Sequence, residues 1–195
     1  MKKMFRFSMV CIAIATVLLL GCGAIEDATT LDIPVDNVRF NFDAITSSDP
    51  AGMILNARSA SIMNIEGLNF FSVTETVNIS DIGNVNVGQY LDKINDVIVN
   101  KSQLVITAVP TGAFTISNLK IEVQGSAESL VIPSYTLGDT FIAPAGMISF
   151  TTRFFMMLIS GQDLTVTVSG QTSAPLDTTI KVTYQNDLVF KAKLL

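Results

Sequence analysis

The feature that most limits what this chain can fold into is the recurrence of apolar side chains at every second position over most of its length. Val38, Phe40 and Phe42 alternate with Arg39, Asn41 and Asp43. This marks a strand with one dry and one wet face, because successive side chains of an extended backbone point to opposite sides. The last segment keeps one phase at even positions through Ile180, Val182, Tyr184, Leu188, Phe190, Ala192 and Leu194, interrupted at Asn186. That polar break predicts a bulge or bend between Gln185 and Asp187. Further strands are expected over residues 71–79, 96–109, 114–123, 129–132 and 164–169, with the last over 179–194. They are short, rich in Val, Ile and Thr, and separated by turn clusters such as Pro110-Thr111-Gly112 and Gly125-Ser126. The expectation is a mainly β chain folded as an antiparallel β-sandwich.

Two segments have helical character. Over residues 87–95, Tyr90, Leu91 and Ile94 fall on one side, with Gln89, Asp92, Lys93 and Asp96 around them, which predicts a short amphipathic helix. Residues 145–161 contain the run Phe154-Phe155-Met156-Met157-Leu158-Ile159. Such a run does not separate a buried helix from a buried strand by period alone, but Pro144 before it and Gly161 after it favour a helix.

At the N-terminus, Lys2, Lys3 and Arg6 precede an apolar run over residues 9–20 that ends in Leu19-Leu20-Gly21-Cys22. A basic n-region, a short apolar h-region and a small residue before the cleavage point make an export signal, and the cysteine that follows makes it a lipoprotein signal peptide with lipidation at Cys22. An apolar run of about a dozen residues is short for a hydrocarbon layer of roughly 30 Å. More than one acyl chain on Cys22 would anchor the protein stably to a membrane. The expected organisation is a signal peptide over residues 1–21, a lipidated N-terminus and flexible tether over 22–35, and one β-sandwich domain over 36–195. The implied location is the cell envelope, with the outer membrane favoured because Gly23 replaces the aspartate that retains enteric lipoproteins at the inner membrane.

Cysteine and charge usage agree with that processing. Cys11 is lost with the signal and Cys22 is consumed by lipid, so the mature chain has no thiol for a disulfide, a metal or a nucleophile. Cleavage removes three of the 12 basic residues and none of the 17 acidic ones, taking the formal charge from −5 to −8. An acidic domain without a Lys/Arg run is a poor match for nucleic acid.

The absence of histidine removes the commonest general base and the commonest transition-metal ligand. No metal or other cofactor is therefore expected. Ser117-Asn118-Leu119-Lys120 has the Ser-x-x-Lys spacing of penicillin-binding enzymes, but that spacing needs a helix and here falls in a strand pattern, with no Ser-Asp-Asn or Lys-Thr-Gly partner. Asp92 and Asp96 share a predicted helical face without the ligand spacing of a calcium loop. Asp32, Asp36, Asp43 and Asp49 would form a hard-cation site only if the fold gathered them. With no tryptophan and only Tyr90, Tyr135 and Tyr184, the chain is short of aromatic platforms for sugars. The remaining candidate for an apolar pocket or partner contact is Phe154, Phe155, Met156 and Met157, since methionines suit adaptable apolar surfaces; the competing and preferred reading places them in the core.

Taken in order, the motif ending at Cys22, the strand over 71–79, the Tyr90-Leu91-x-x-Ile94 segment, the x-Val-x-Val-x-Gly strand over 164–170 and the closing Phe190-Lys191-Ala192-Lys193-Leu194-Leu195 resemble uncharacterised Bacteroidota-type lipoproteins. Those carry one immunoglobulin-like β-sandwich behind the lipidated cysteine. The resemblance implies an immunoglobulin-like sandwich with one or two short helices and an envelope location, and it implies no activity. The function expected is that of a non-enzymatic structural or protein-interaction module, with membrane attachment through the N-terminal lipid and an envelope protein as partner. The alternative is an envelope lipoprotein that binds an apolar or saccharide ligand.

Overall fold

A computed structural model describes residues 29–48, 68–83, 85–137 and 143–194. The signal peptide and Cys22 lie outside the described residues. Among the described residues, seven strands form in chain order: β1 Thr30–Ile45, β2 Asn69–Val77, β3 Ile94–Val109, β4 Thr115–Val123, β5 Ser129–Thr136, β6 Leu164–Thr172 and β7 Thr179–Lys193. They make a three-stranded sheet in the order β1-β7-β3 and a four-stranded sheet in the order β2-β6-β4-β5, and every pairing is antiparallel. One apolar core fills the space between the layers, with Phe42, Phe71, Leu104, Ile121, Val168, Leu188 and Phe190 among its fully buried members.

β1 begins at Thr30 and pairs with β7 from its first residue, Thr30 opposite Lys193. Residues 30–35 are therefore part of the sheet rather than of the tether. Ile33 and Val35 supply the reason, since both bury their side chains against β7.

The central strand β7 does not bulge. Its inner face stays at even positions without interruption, and Asn186 is buried on that face with its apolar neighbours. The slips occur in the strands on either side. β1 turns Ile33 and Val35 inward opposite Phe190 and Leu188, then skips a residue and turns Val38, Phe40, Phe42 and Ala44 inward. β3 changes phase at the same level, between Val99 and Lys101. Asn37 accommodates the β1 slip at φ +61°, a left-handed conformation that asparagine tolerates better than most residues.

The expected helix over residues 87–95 is broken into three parts. A single turn, α1 Val85–Gln89, is followed by a 3₁₀ turn over Leu91–Lys93, and β3 starts at Ile94. Asp96 lies in the strand, where its carboxylate accepts the Val97 N–H at 2.8 Å, so it shares no helical face with Asp92. The second helix forms as expected: α2 spans Met147–Ile159 and stops where Gly161 adopts φ +80°, the usual role of glycine just past a helix end.

The strand neighbours follow a nested plan. β1 pairs β7, β2 pairs β6 and β4 pairs β5, while α2, between β5 and β6 in the chain, packs on β3. This order is not that of an immunoglobulin constant-type domain, in which the second strand neighbours the fifth rather than the sixth.

Candidate functional site

The apolar run proposed as a contact surface is mostly interior. On α2, Met147, Phe150, Phe154, Phe155, Leu158 and Ile159 are buried, Met157 is half-buried, and Met156 points outward at 37% exposure. Rings of this helix meet the inner face of the three-stranded sheet: Phe154 lies edge-on to Phe40 at 5.6 Å and to Tyr184 at 5.6 Å, and Phe155 edge-on to Phe190 at 6.0 Å. Such edge-to-face pairs add to plain area burial. Phe154 and Phe155 therefore hold the core together, and of the four only Met156 is exposed, with Met157 partly so.

The other residues singled out from the sequence are dispersed. Ser117 and Lys120 sit on β4 on either side of a register slip at Asn118, whose φ is +52°. Lys120 is paired with Glu122, so it is not directed at the serine. Asp32 faces Lys191 at 4.0 Å and Asp43 faces Lys181 at 3.4 Å, near opposite ends of β1. Asp49 lies outside the described residues. Among the described residues, no group of three His, Cys, Asp or Glu side chains is gathered closely enough to hold a metal ion.

A surface cleft of about 540 Å³ opens at the β1 start, lined by Thr30, Asp32, Asn95, Asp96 and Lys191. Both carboxylate residues stand opposite Lys191 in the register, one on each flanking strand. Its lining is polar and exposed, suited to solvated ions rather than to an apolar molecule. The exposed apolar residues Ile45 and Val109 flank Thr179 at the other end of the same sheet.

The arrangement the sequence did not reveal lies inside. Ser102 on β3, Thr151 on α2 and Tyr184 and Asn186 on β7 are all buried and in mutual contact. The Ser102 hydroxyl reaches Asn186 Oδ1 at 2.7 Å and Thr151 Oγ1 at 2.7 Å, the Tyr184 hydroxyl donates to Thr151 at 2.6 Å, and Thr151 donates to the Met147 carbonyl at 2.8 Å. Three hydroxyl protons thus serve four contacts. The amide nitrogen of Asn186 has no partner, and leaving a buried donor unmatched costs free energy. Burial pushes the Tyr184 phenol far above its ordinary range, with hydrogen bonds from Thr151 and Ser102 opposing the shift. A sealed phenol held protonated beside two alcohols and an amide has no general base and no access for substrate. Its chemistry is hydrogen bonding alone. The signal in the sequence was Asn186 within an apolar alternation, together with Ser102 at the head of the inward-facing series Leu104, Ile106 and Ala108.

No protein-family profile and no curated protein matches this chain. Among solved structures, a chain from desmodium yellow mottle tymovirus aligns over 84% of this chain and 84% of its own length, at 9% identity and a TM-score of 0.26. Among the described residues, no helix is long and apolar enough to cross a membrane.

Proposed function

We propose that the protein is a lipid-anchored module of the bacterial cell envelope, attached through Cys22, whose sandwich serves a non-enzymatic structural or protein-interaction role. The observation that carries this reading is the sequence Leu19-Leu20-Gly21-Cys22 after a basic and then apolar segment. The start of β1 at Thr30 supports it, because only a short spacer then separates the acylated residue from folded structure. An anchor at that end leaves the Ile45 and Val109 end of the sheet farthest from the bilayer. The interaction reading is favoured over binding of an apolar ligand because Phe150, Phe154 and Phe155 of α2 occupy the inner face of the three-stranded sheet. Outer-membrane placement belongs to the same proposal.

We also infer that the domain is a roll rather than an immunoglobulin-like sandwich. The nested pairs β1 with β7, β2 with β6 and β4 with β5 are the wrapping order of a jelly roll. In it, α2 stands beside β3, in the place of the strand that would complete the pattern.

The test is in-cell crosslinking of tagged protein, run beside a Cys22→Ala form. Acyl incorporation into the parent protein alone, with a discrete partner captured only by that form, is the expected result. Equal membrane retention of both forms would remove the lipid anchor, and capture of no specific partner would remove the interaction role.

A further inference from the structure

We propose that the β1–β7 pair is a mechanical clamp, which holds against a pull between the lipid anchor and the far end of the domain and yields to a pull that peels β1 away sideways. The proposal rests on the anchor at Cys22. Seven residues, 23–29, stand between Cys22 and Thr30, so tension from the membrane enters the fold at the first residue of β1. β1 runs antiparallel to β7, with Thr30 facing Lys193 and Ile45 facing Thr179. A partner held at the Ile45 end pulls on the opposite end of that pair. The start of β7 and the turn before it lie there, where the Asp177 N–H donates to the Thr46 carbonyl at 3.3 Å and the Thr178 N–H to the Thr46 hydroxyl at 2.9 Å. The pull then runs along both strands, with β1 drawn toward the membrane and β7 away from it.

Ladder bonds of an antiparallel pair lie perpendicular to the strands. Tension along the strands loads all of them together, whereas tension across the strands at one end loads them pair by pair. The ladder has six pairs over residues 30–35 of β1 and eight over residues 38–45. Side chains tie the same two strands at intervals along that length: Asp32 to Lys191 at 4.0 Å, Asn37 to Gln185 at 2.8 Å, Asn41 to Thr183 at 2.8 Å and Asp43 to Lys181 at 3.4 Å. The exposed ion pairs add little. Asn37 adds a second bond, because its own N–H donates to Asp187 at 2.8 Å.

Packing also resists sliding. A shift of β1 by one residue turns its inward set, Val38, Phe40, Phe42 and Ala44, to the outer face. A shift by two keeps the faces but moves the strand by roughly 6.8 Å. That takes Phe40 from its places beside Phe154 at 5.6 Å and Tyr184 at 6.1 Å, and Asn37 from Asp187. The first six pairs have a weaker hold. Residues 30–35 bury Ile33 and Val35 and include no aromatic side chain, so a peel that starts at Thr30 meets these pairs singly before it reaches Asn37.

The test is single-molecule force spectroscopy on the full, unacylated chain with Cys11→Ser, one handle on Cys22 and the other on a new cysteine. With Leu176→Cys, in the turn before β7, the pull runs along the pair; with Leu194→Cys, just past β7, it parts Thr30 from Lys193. The two leucines are 52% and 41% exposed, so the handles leave the core intact. At one pulling rate the expected rupture force is several times larger with Leu176→Cys than with Leu194→Cys. Equal forces, or a larger force with Leu194→Cys, would overturn the clamp. A second set of handle sites, Pro175→Cys and Lys193→Cys, applies the same two directions and should give the same order; the reverse order there would also overturn it. Rupture needs no acyl chain, whereas acyl incorporation at Cys22 tests the anchor, so failure of one is read apart from failure of the other.

Discussion

The Asn37 N–H donates to the Asp187 carboxylate at 2.8 Å, joining residues 150 positions apart at the point where β1 slips by one residue against β7. Around it, Asn37 Oδ1 accepts from Arg39 Nε at 2.8 Å and from Gln185 Nε2 at 2.8 Å. Asn37 is thus both the residue that bends and the residue that ties the bend down. Replacing it by alanine forces a Cβ-bearing residue without a compensating side chain into φ +61°. The expected loss is about 1–2 kcal/mol. Asn37→Gly gives up the same side-chain bonds but takes the conformation freely. It should be less destabilised than the alanine variant, and equal urea midpoints for the two would refute a backbone origin.

The sheet itself was legible because its pattern is set by burial, which sequence records residue by residue. Val38 to Phe42, the even positions of β7, and Ile116 followed by Leu119, Ile121 and Val123 all show which side chains face inward. The location of the slips was not legible. A phase change in an outer strand looks like noise in that strand, whereas a polar residue in an unbroken alternation looks like a bulge. Asn186 therefore suggested an irregularity in β7, while in that sheet the real ones lie in β1 and β3. The seven strands and α2 were readable for the same reason, but not their neighbours, because pairing between distant strands leaves no local trace. The buried cluster was hidden for a related reason: Ser102, Thr151, Tyr184 and Asn186 come from three elements and are ordinary residues in each.

Gly170 pairs with Phe71 across β2 and β6, and the ring lies over it. A Cβ at residue 170 would stand 2.7 Å from Phe71 Cζ and 3.3 Å from Leu119 Cα. The ring must move, and the β4 backbone beneath limits where the strand can go. Gly170→Ala should cost about 1–3 kcal/mol, the usual range for overpacking a filled core. Phe71→Leu, destabilising alone, should offset part of that loss when combined with it. A double-mutant cycle in chemical denaturation should give a favourable coupling of about 0.5 kcal/mol or more, and additive losses would show that the clash is relieved elsewhere.

Neighbouring residues of α2 should respond in opposite ways. Phe155 is fully buried against Phe40, Phe154 and Phe190, so Phe155→Ala should cost about 3–5 kcal/mol through lost burial and a residual cavity. Met156 is 37% exposed on the outer side of the same helix. Met156→Asp should cost no more than about 1 kcal/mol, mainly through lower helix propensity and an acid near the helix C-terminus. Thermal unfolding of the two variants checks the contrast. A large loss from Met156→Asp would mean that this side chain is covered in the folded protein.

Tyr184 should make the protein sensitive to alkali in a way that a single substitution removes. Below about pH 10 the phenol carries its proton in both folded and unfolded chains, so it contributes no pH dependence. Above that, the unfolded chain releases the proton, while burial keeps the folded phenol protonated. The unfolded state then binds fewer protons, and stability falls as pH rises, by about 1.4 kcal/mol per pH unit from this one group. Tyr184→Phe loses the bond to Thr151, which makes it less stable near neutral pH by about 1 kcal/mol. It also loses the titration. The difference between parent and variant should therefore narrow as pH is raised past about 10 and vanish within roughly one further unit. Urea midpoints of both proteins at about pH 8 and about pH 11 measure this directly. A gap that stays constant would mean that the phenol ionises as readily in the folded chain as in the unfolded one, contrary to its burial on the inner face of β7 beneath α2.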